Sequence, residues 1–331
     1  MSEYKGIKGF QVQTRSEDPS EGIAGDFYYN SATGQFKTIT DGGAPIGSWA
    51  SGGSLNQARD GSLGGAGTQS AGQVVGGRGP SGPGDNLAVN ELYDGTSFTE
   101  SGDLNTGRRF LTTFGATNTA SVTTGGYTTT ESADTETWDG SSFTESGNLN
   151  NARYQLYSSG TSTAGLAFSG DPGNVAYTET WNGSAWTEVS DLNTGRGTAG
   201  GCGTQTSTVA FGGVTSTGEV AVTETWDGSS WTEVADLNTA REKPAGSGTS
   251  SSVALAFGGD PPRTTKTESW NGTSWTEVSD LATARGSGGT SHNSATSTFL
   301  AGGRTGTPLT LSSDTEEFTA AEFVIKTVTT S

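Results

Sequence analysis

From Leu55 onward the chain alternates apolar and polar residues in short runs broken by glycine, and no segment sustains the spacing of an amphipathic helix. The pattern is that of short β-strands, and it repeats. The phrase LNQAR at Leu55 returns as LNTGR at Leu104, LNNAR at Leu149, LNTGR at Leu192, LNTAR at Leu237 and LATAR at Leu281, at spacings of 49, 45, 43, 45 and 44 residues. After each copy comes a mostly apolar run ending in a pair of small residues: Gly76-Gly77, Gly125-Gly126, Ser169-Gly170, Gly212-Gly213, Gly258-Gly259 and Gly302-Gly303. A third phrase follows: ELYDGTSF from Glu91, ETWDGSSF from Glu136, ETWNGSAW from Glu179, ETWDGSSW from Glu224, ESWNGTSW from Glu268 and the degenerate EEFTAAEF from Glu316.

The third phrase predicts a hairpin, because Asp-Gly or Asn-Gly between β-formers supplies the positive φ that a tight turn requires. Trp226 and Trp231 then fall on adjacent antiparallel strands. The run before each glycine pair, such as STVAFGG from Ser207, is another strand, and the stretch after each arginine, such as GTAGGCG from Gly197, is the innermost, where glycine relieves crowding. Four antiparallel strands repeated at this period predict an all-β protein, a six-bladed β-propeller with a short N-terminal extension. Residues 1–48 form that extension, an attachment and hairpin segment containing FYYNSATGQFKTI from Phe27. Residues 49–331 form the propeller, with blades starting near 55, 104, 149, 192, 237 and 281. Trp49 stands where a last-strand aromatic belongs, and EFVIKTV from Glu322 is expected beside it to close the ring. The alternative is a seventh, incomplete blade built from Phe27–Thr40.

The diglycine, the aromatic on the next strand, the Trp or Phe beyond the turn and the Arg opening the next unit resemble the kelch repeat, over roughly Leu55 to Thr327. The aromatics lie five residues apart, as in Trp181 to Trp186, which is tighter than the usual kelch turn. WD repeats are the runner-up family, but they need a Gly-His pair per blade and His292 is the only histidine. The opening EYKGIKGFQVQTRSEDP, together with the degenerate array, is similar to tail-fibre and other virion structural proteins of marine bacteriophages. That resemblance implies a non-enzymatic virion protein, a tail fibre or surface decoration. Its N-terminal segment would meet other virion proteins and its propeller a host-surface glycan or protein, with a homo-oligomer possible. Its alternatives are a carbohydrate-active propeller enzyme and an intracellular kelch-type interaction module.

Charge and composition narrow the classes further. Lys plus Arg number 17 against 35 Asp plus Glu, a net charge of −18, which repels nucleic-acid phosphates and anionic membranes. Eight Trp and thirteen Phe at fixed spacing argue for a folded chain despite 53 glycines. With Cys202 as the sole cysteine, no internal disulfide forms. No apolar run reaches membrane-spanning length, and the opening MSEYKGIKGF has no secretory signal pattern, so synthesis in the cytoplasm is expected; residence in the virion is what the phage resemblance implies.

Residues present in every unit read as architecture: Arg59, Arg108, Arg153, Arg196, Arg241 and Arg285, with Trp138, Trp181, Trp186, Trp226, Trp231, Trp270 and Trp275. The arginines either ring a channel mouth or pair with carboxylates such as the Glu opening each ETW phrase. No catalytic, cofactor or metal site is expected. A copper site like that of kelch oxidases needs two histidines, and His292 lies in the polar stretch TSHNSATS, read as an exposed loop. What varies is the connection after each glycine pair, expected to share one face with the LNxAR connections. Its least repetitive residues, Arg78, Tyr127, Asp171, Tyr177, Arg263, Lys266 and Arg304, are the candidate ligand-binding set.

Overall fold

The computed structural model describes residues 13–17, 27–40, 47–61, 64–82, 84–306, 310–320 and 324–327. Among these every regular element is a strand. The chain divides into two units, Ser48–Thr319 and a smaller one of Met1–Gly47 with Ala320–Ser331.

The larger unit contains six four-stranded antiparallel sheets, an architecture consistent with propeller blades. The first four run Gly64–Thr68, Ala71–Val75, Asn90–Tyr93, Phe98–Ser101; Thr112–Thr117, Ala120–Thr124, Thr135–Trp138, Phe143–Glu145; Tyr157–Thr161, Ala164–Phe168, Thr178–Trp181, Trp186–Glu188; and Gly200–Thr204, Ser207–Phe211, Thr223–Trp226, Trp231–Glu233. The fifth is Ala245–Ser250, Val253–Phe257, Thr267–Trp270, Trp275–Glu277, and the sixth Gly289–Thr290, Ser297–Ala301, Thr315–Thr319 with Ser48–Gly52 as its outer strand. Trp49 sits opposite Phe318 in that last pairing. Two-stranded ribbons, Val214–Thr215 with Gly218–Glu219 and Arg304–Thr305 with Thr310–Leu311, decorate the connections of the fourth and sixth sheets.

First strands touch one another in cyclic order, and that of the sixth touches that of the first. Their crowding explains their glycines: a Cβ on Gly65 would lie 2.1 Å from the Thr290 carbonyl oxygen. Backbone bonds follow the same circuit. The second residue of each small pair donates to the carbonyl of the next unit's arginine, Gly77 to Arg108 at 2.9 Å and Gly213 to Arg241 at 3.0 Å, and Gly303 of the sixth returns to Arg59 of the first at 2.9 Å. Both residues of a pair need left-handed φ, +62° and +105° at Gly212 and Gly213, which glycine adopts without strain. Ser169 holds φ +62° at the same place with a side chain attached.

The aromatics lock neighbouring sheets. Within a sheet the third- and fourth-strand rings meet across the hairpin, with centroids 5.2 Å apart for Trp181–Trp186 and 5.5 Å for Trp226–Trp231. A second-strand Phe then packs on the outer aromatic of the following sheet, as Phe168 does on Trp231 and Phe257 on Trp49. Each outer Trp also donates its indole N–H to a third-strand Thr of the preceding sheet: Trp186 to Thr135, Trp231 to Thr178, Trp275 to Thr223 and Trp49 to Thr267, all at 3.0–3.1 Å. Trp49 therefore does for the sixth sheet what the repeat Trp does elsewhere. The hairpin turn is a four-residue loop in which Asp227 Oδ1 accepts from the Ser229 and Ser230 amides while Gly228 takes φ +98°.

The smaller unit corrects one expectation. Val324–Thr327 does not lie beside Trp49; it pairs antiparallel with Gln35–Thr40, in a sheet with Phe27–Asn30 and Gln13–Arg15. Residues 320–331 thus group with the N-terminal residues rather than with the propeller-like unit. The Phe27–Thr40 hairpin belongs to this sheet and not to a partial seventh one of the larger unit. The degenerate EEFTAAEF accounts for the misassignment: its first half is a third strand, and the fourth-strand role passes to the segment Ser48–Gly52, far upstream in the chain.

Candidate functional site

The recurrent arginines are buried and paired. Arg108–Glu136, Arg153–Glu179, Arg196–Glu224, Arg241–Glu268 and Arg285–Glu316 lie 2.6–3.1 Å apart with almost no side-chain exposure, and Arg59 bonds Glu91 in the same way. In five sheets the other glutamate oxygen accepts from the backbone and side-chain N–H of the LN asparagine, as with Asn193 on Glu224 at 2.8 and 2.9 Å. That side chain also reaches the carbonyl of the outer aromatic, Trp231 at 3.0 Å. Burial pulls the pKa of Arg59, Arg108, Arg153, Arg196 and Arg241 below the usual guanidinium value, opposed by the paired glutamates. These six cations are therefore sheet-fastening elements and present no charge to a ligand.

Immediately after each arginine the sequence stops repeating: Asp60, Arg109, Tyr154, Gly197, Glu242, Gly286. These residues form isolated bridges with the residues that follow the small pairs, Asp60 with Arg78, Arg109 with Tyr127, Tyr154 with Asp171, Gly197 with Val214, Glu242 with Asp260 and Gly286 with Arg304. The loops after the second strands thus lie against the connections between sheets and form one rim. One residue further on, Gly61, Phe110, Gln155, Thr198, Lys243 and Ser287 all hold left-handed φ, between +53° and +96°. Successive members bond through the backbone, Phe110 N–H to Gly61 O, Gln155 to Phe110, Thr198 to Gln155 and Lys243 to Thr198, at 2.6–3.0 Å.

Four of the seven candidate residues converge here in two groups. Arg78 grips the fully buried Asp60 through Nε and Nη2 at 2.9 and 2.8 Å, and Arg304 bonds the same carboxylate from the sixth sheet. One carboxylate thus carries two guanidinium groups, leaving local positive charge in an acidic protein. Tyr127 packs edge-on against Tyr154 at 5.3 Å, and the Arg109 guanidinium lies 4.9 Å from the Tyr127 ring centre and 5.4 Å from that of Phe110. Burial and Asp171 raise the Tyr154 hydroxyl pKa. Asp171 accepts from the Asn174 amide beside this group.

The other three stand apart. Arg263 lies 3.6 Å from Asp260 and donates to the Gly306 carbonyl at 2.7 Å. Lys266 turns to Glu277 of its own fourth strand at 2.7 Å, lowering that carboxyl's pKa. Tyr177 is exposed, next to the third strand.

Inside the rim the space between the first strands is filled. Tyr157 opens the first strand of the third sheet where other sheets have Gly64, Thr112, Gly200, Ala245 or Gly289. Its hydroxyl reaches Gly246 of the fifth sheet, accepting from N–H and facing the carbonyl at 3.1 Å, and lies 3.4 Å from His292 Nε2 of the sixth. The two rings stack at 5.3 Å. Asn293 donates to the carbonyls of Gly67 and Gly115, in the first and second sheets, at 2.9 Å. Thus His292 is not the exposed loop residue its polar neighbours suggested. It is 6% exposed, and burial pushes its pKa down to about 4. Cys202 is fully buried in the apolar core shared by the fourth and fifth sheets, its thiol pKa raised by burial. Among the described residues no cluster of His, Cys, Asp or Glu is arranged to hold a metal ion.

Asp60, Arg109, Phe110, Tyr154 and Tyr157 were missed from sequence because only the second-strand connections were compared. Aligning the residues after each arginine finds the first four, and aligning the first-strand openers finds Tyr157. Compared with known proteins, the chain matches no family model and no curated protein.

Proposed function

We propose that Ser48–Thr319 is a closed six-bladed, kelch-like β-propeller that serves a bacteriophage particle as a non-enzymatic recognition module, with the variable rim meeting a host-surface glycan or protein. The observation carrying this reading is the segregation of residues. Side chains common to all repeats are buried in ion pairs and aromatic contacts, whereas those that differ gather on one rim, where Arg109, Phe110, Tyr127 and Tyr154 make an aromatic and cationic surface. Rigid aromatic rings beside a guanidinium offer large contact area at little entropic cost, as recognition surfaces require. Binding is favoured over hydrolysis at the Asp60 group because that carboxylate is held by two arginines. The unit of residues 1–47 with 320–331 is the proposed attachment to other virion proteins.

The test is binding of the purified chain to host cells, together with immunogold labelling of purified particles. Wild-type protein should bind and label virions, and Tyr127→Ala with Tyr154→Ala should reduce cell binding at least tenfold without unfolding. Unchanged binding by the double variant, turnover of a surface glycan, or absence from particles would overturn the reading.

A further inference from the structure

Asp60 is fully buried and is bound by two guanidinium groups, Arg78 from the first sheet's second-strand loop and Arg304 from the sixth sheet's. Arg78 gives Nε and Nη2 to that carboxylate, and Arg304 gives Nε. Three terminal nitrogens remain: Arg78 Nη1 and both Nη atoms of Arg304. None has a hydrogen-bond partner among the described residues and none is buried, in contrast to the unpartnered nitrogens of the repeat arginines. Arg78 keeps 21% of its side chain exposed and Arg304 16%, so these donors face solvent. The repeat does not force the arrangement. Every LNxAR arginine has a glutamate of its own, whereas Arg304 bridges to Gly286, which offers no acid, and crosses instead to the carboxylate that Arg78 already neutralises. Asp85, on the same loop as Arg78, accepts from the Ser81 amide and pairs with neither arginine. Asp60 therefore balances only one of its two cations, and two guanidinium groups on one carboxylate repel each other unless a further anion joins them.

We propose that Arg78 and Arg304 together hold the oxyanion of an acidic sugar, a uronate carboxylate or a sulfate ester. This names the ligand class of the recognition reading and rests on it. A guanidinium presents its N–H donors in one plane, at a spacing that matches the oxygens of a carboxylate or sulfate. Because the inner nitrogens are spent on Asp60, that carboxylate is a positioning residue: it fixes both guanidinium groups and leaves their terminal N–H groups for the ligand. One added anion balances the group, two cations against two carboxylate or sulfate charges, and a neutral hydroxyl does not. The aromatic group adjoins this pair. A Cβ on Gly61 would lie 3.5 Å from Arg78 Cβ and 3.4 Å from Arg109 Cβ, and Arg109 donates to the side chain of Asn86, whose backbone bridges Arg78. A ligand anchored on the two arginines can thus extend toward Arg109, Phe110 and Tyr127, which favours a sugar acid over a free inorganic ion.

The experiment titrates the full chain at low ionic strength with glucuronate, glucose 6-sulfate, glucose and inorganic sulfate, by calorimetry and by NMR of the arginine side-chain N–H signals. Glucuronate or glucose 6-sulfate should bind at least tenfold more tightly than glucose or inorganic sulfate, should weaken with added salt, and should shift the Arg78 and Arg304 signals. Whichever of the two binds better identifies the oxyanion. Arg304→Gln leaves Asp60 its pair with Arg78, so the variant should fold, and it should weaken the acidic sugar at least tenfold. No binding of either acidic sugar, equal affinity for glucose or inorganic sulfate, shifts confined to other arginines, or unchanged binding by Arg304→Gln would overturn the proposal. Should that variant not fold, the wild-type titration and its signal shifts decide alone. If host-cell binding persists while neither acidic sugar binds, the arginine pair fails and the rim reading stands; if wild-type protein does not bind cells, the rim reading itself fails.

Discussion

Ala282→Asn should stabilise the protein. In five sheets the LN asparagine side chain bonds the buried glutamate at 2.7–2.9 Å and an outer-strand carbonyl at 3.0–3.3 Å. In the sixth the residue is Ala282: its amide still reaches Glu316 Oε2 at 2.6 Å, but the side-chain bonds are missing. The gap falls where the outer strand comes from the other end of the chain, and a cavity of about 150 Å3 opens there, lined by Ser51, Gly52, Thr283 and Glu316 among others, so an asparagine has room. A bond to a charged group is worth about 1.5–3 kcal/mol and a neutral one about 0.5–1.5, but fixing the side chain costs about 1 and the site is partly exposed. The expected net gain is about 1 kcal/mol, a rise in Tm of about 2 °C for a unit of this size. Scanning calorimetry and urea titration measure it, with Asn238→Ala as the reciprocal loss. A variant no more stable than wild type, alongside a destabilised Asn238→Ala, would show that the sixth unit is not fastened like the others.

Glu224→Gln leaves Arg196 buried without its counter-charge and should cost about 3–5 kcal/mol in urea denaturation, more than replacing both partners by apolar residues. Ser169→Gly should gain about 1 kcal/mol, since it relieves a left-handed φ and removes a buried hydroxyl with no partner, at the cost of glycine's chain entropy. His292 should make the fold acid-sensitive. Its folded pKa of about 4 lies below the unfolded value, so the unfolded chain binds the extra proton, and stability present above about pH 6.5 is lost as pH falls through 4. The loss should be about 3 kcal/mol, and His292→Asn should flatten that part of the stability profile if burial of neutral imidazole is the cause.

Much of the frame was legible because it is written several times. One LNxAR, one small pair and one ETW phrase would each be weak, but their fixed order assigns four strands per unit, and the sheets follow that order. The pairing of each arginine with the glutamate 26–32 residues onward could be entertained from sequence but not decided, because a cationic ring at a mouth uses the same residues. Only burial separates the two. The C-terminal strand was misplaced for a related reason: EFVIKTV has the composition of an outer strand, and strand composition does not specify a partner when two edges are open.

The axis was illegible because it is where the repeats cease to be equivalent. Where first strands converge, side chains from different repeats compete for the same space, so only one of several equivalent positions can carry a large group. Tyr157 occupies that space and the other first strands open with small residues, just as the sixth first strand shortens to Gly289–Thr290 and leaves His292 to meet Tyr157 of the third sheet and Asn293 to reach the first and second. A repeat alignment treats such substitutions as degeneration. Where the first strands meet they are the expected result of packing, because identical large side chains from every repeat would clash there and identical small ones would leave a void. Ala282 is degeneration of the other kind, since nothing competes for its place and the bonds are simply absent. The two kinds differ in their response to restoration: the consensus residue should stabilise at position 282, whereas Tyr157→Gly should empty the axis and destabilise.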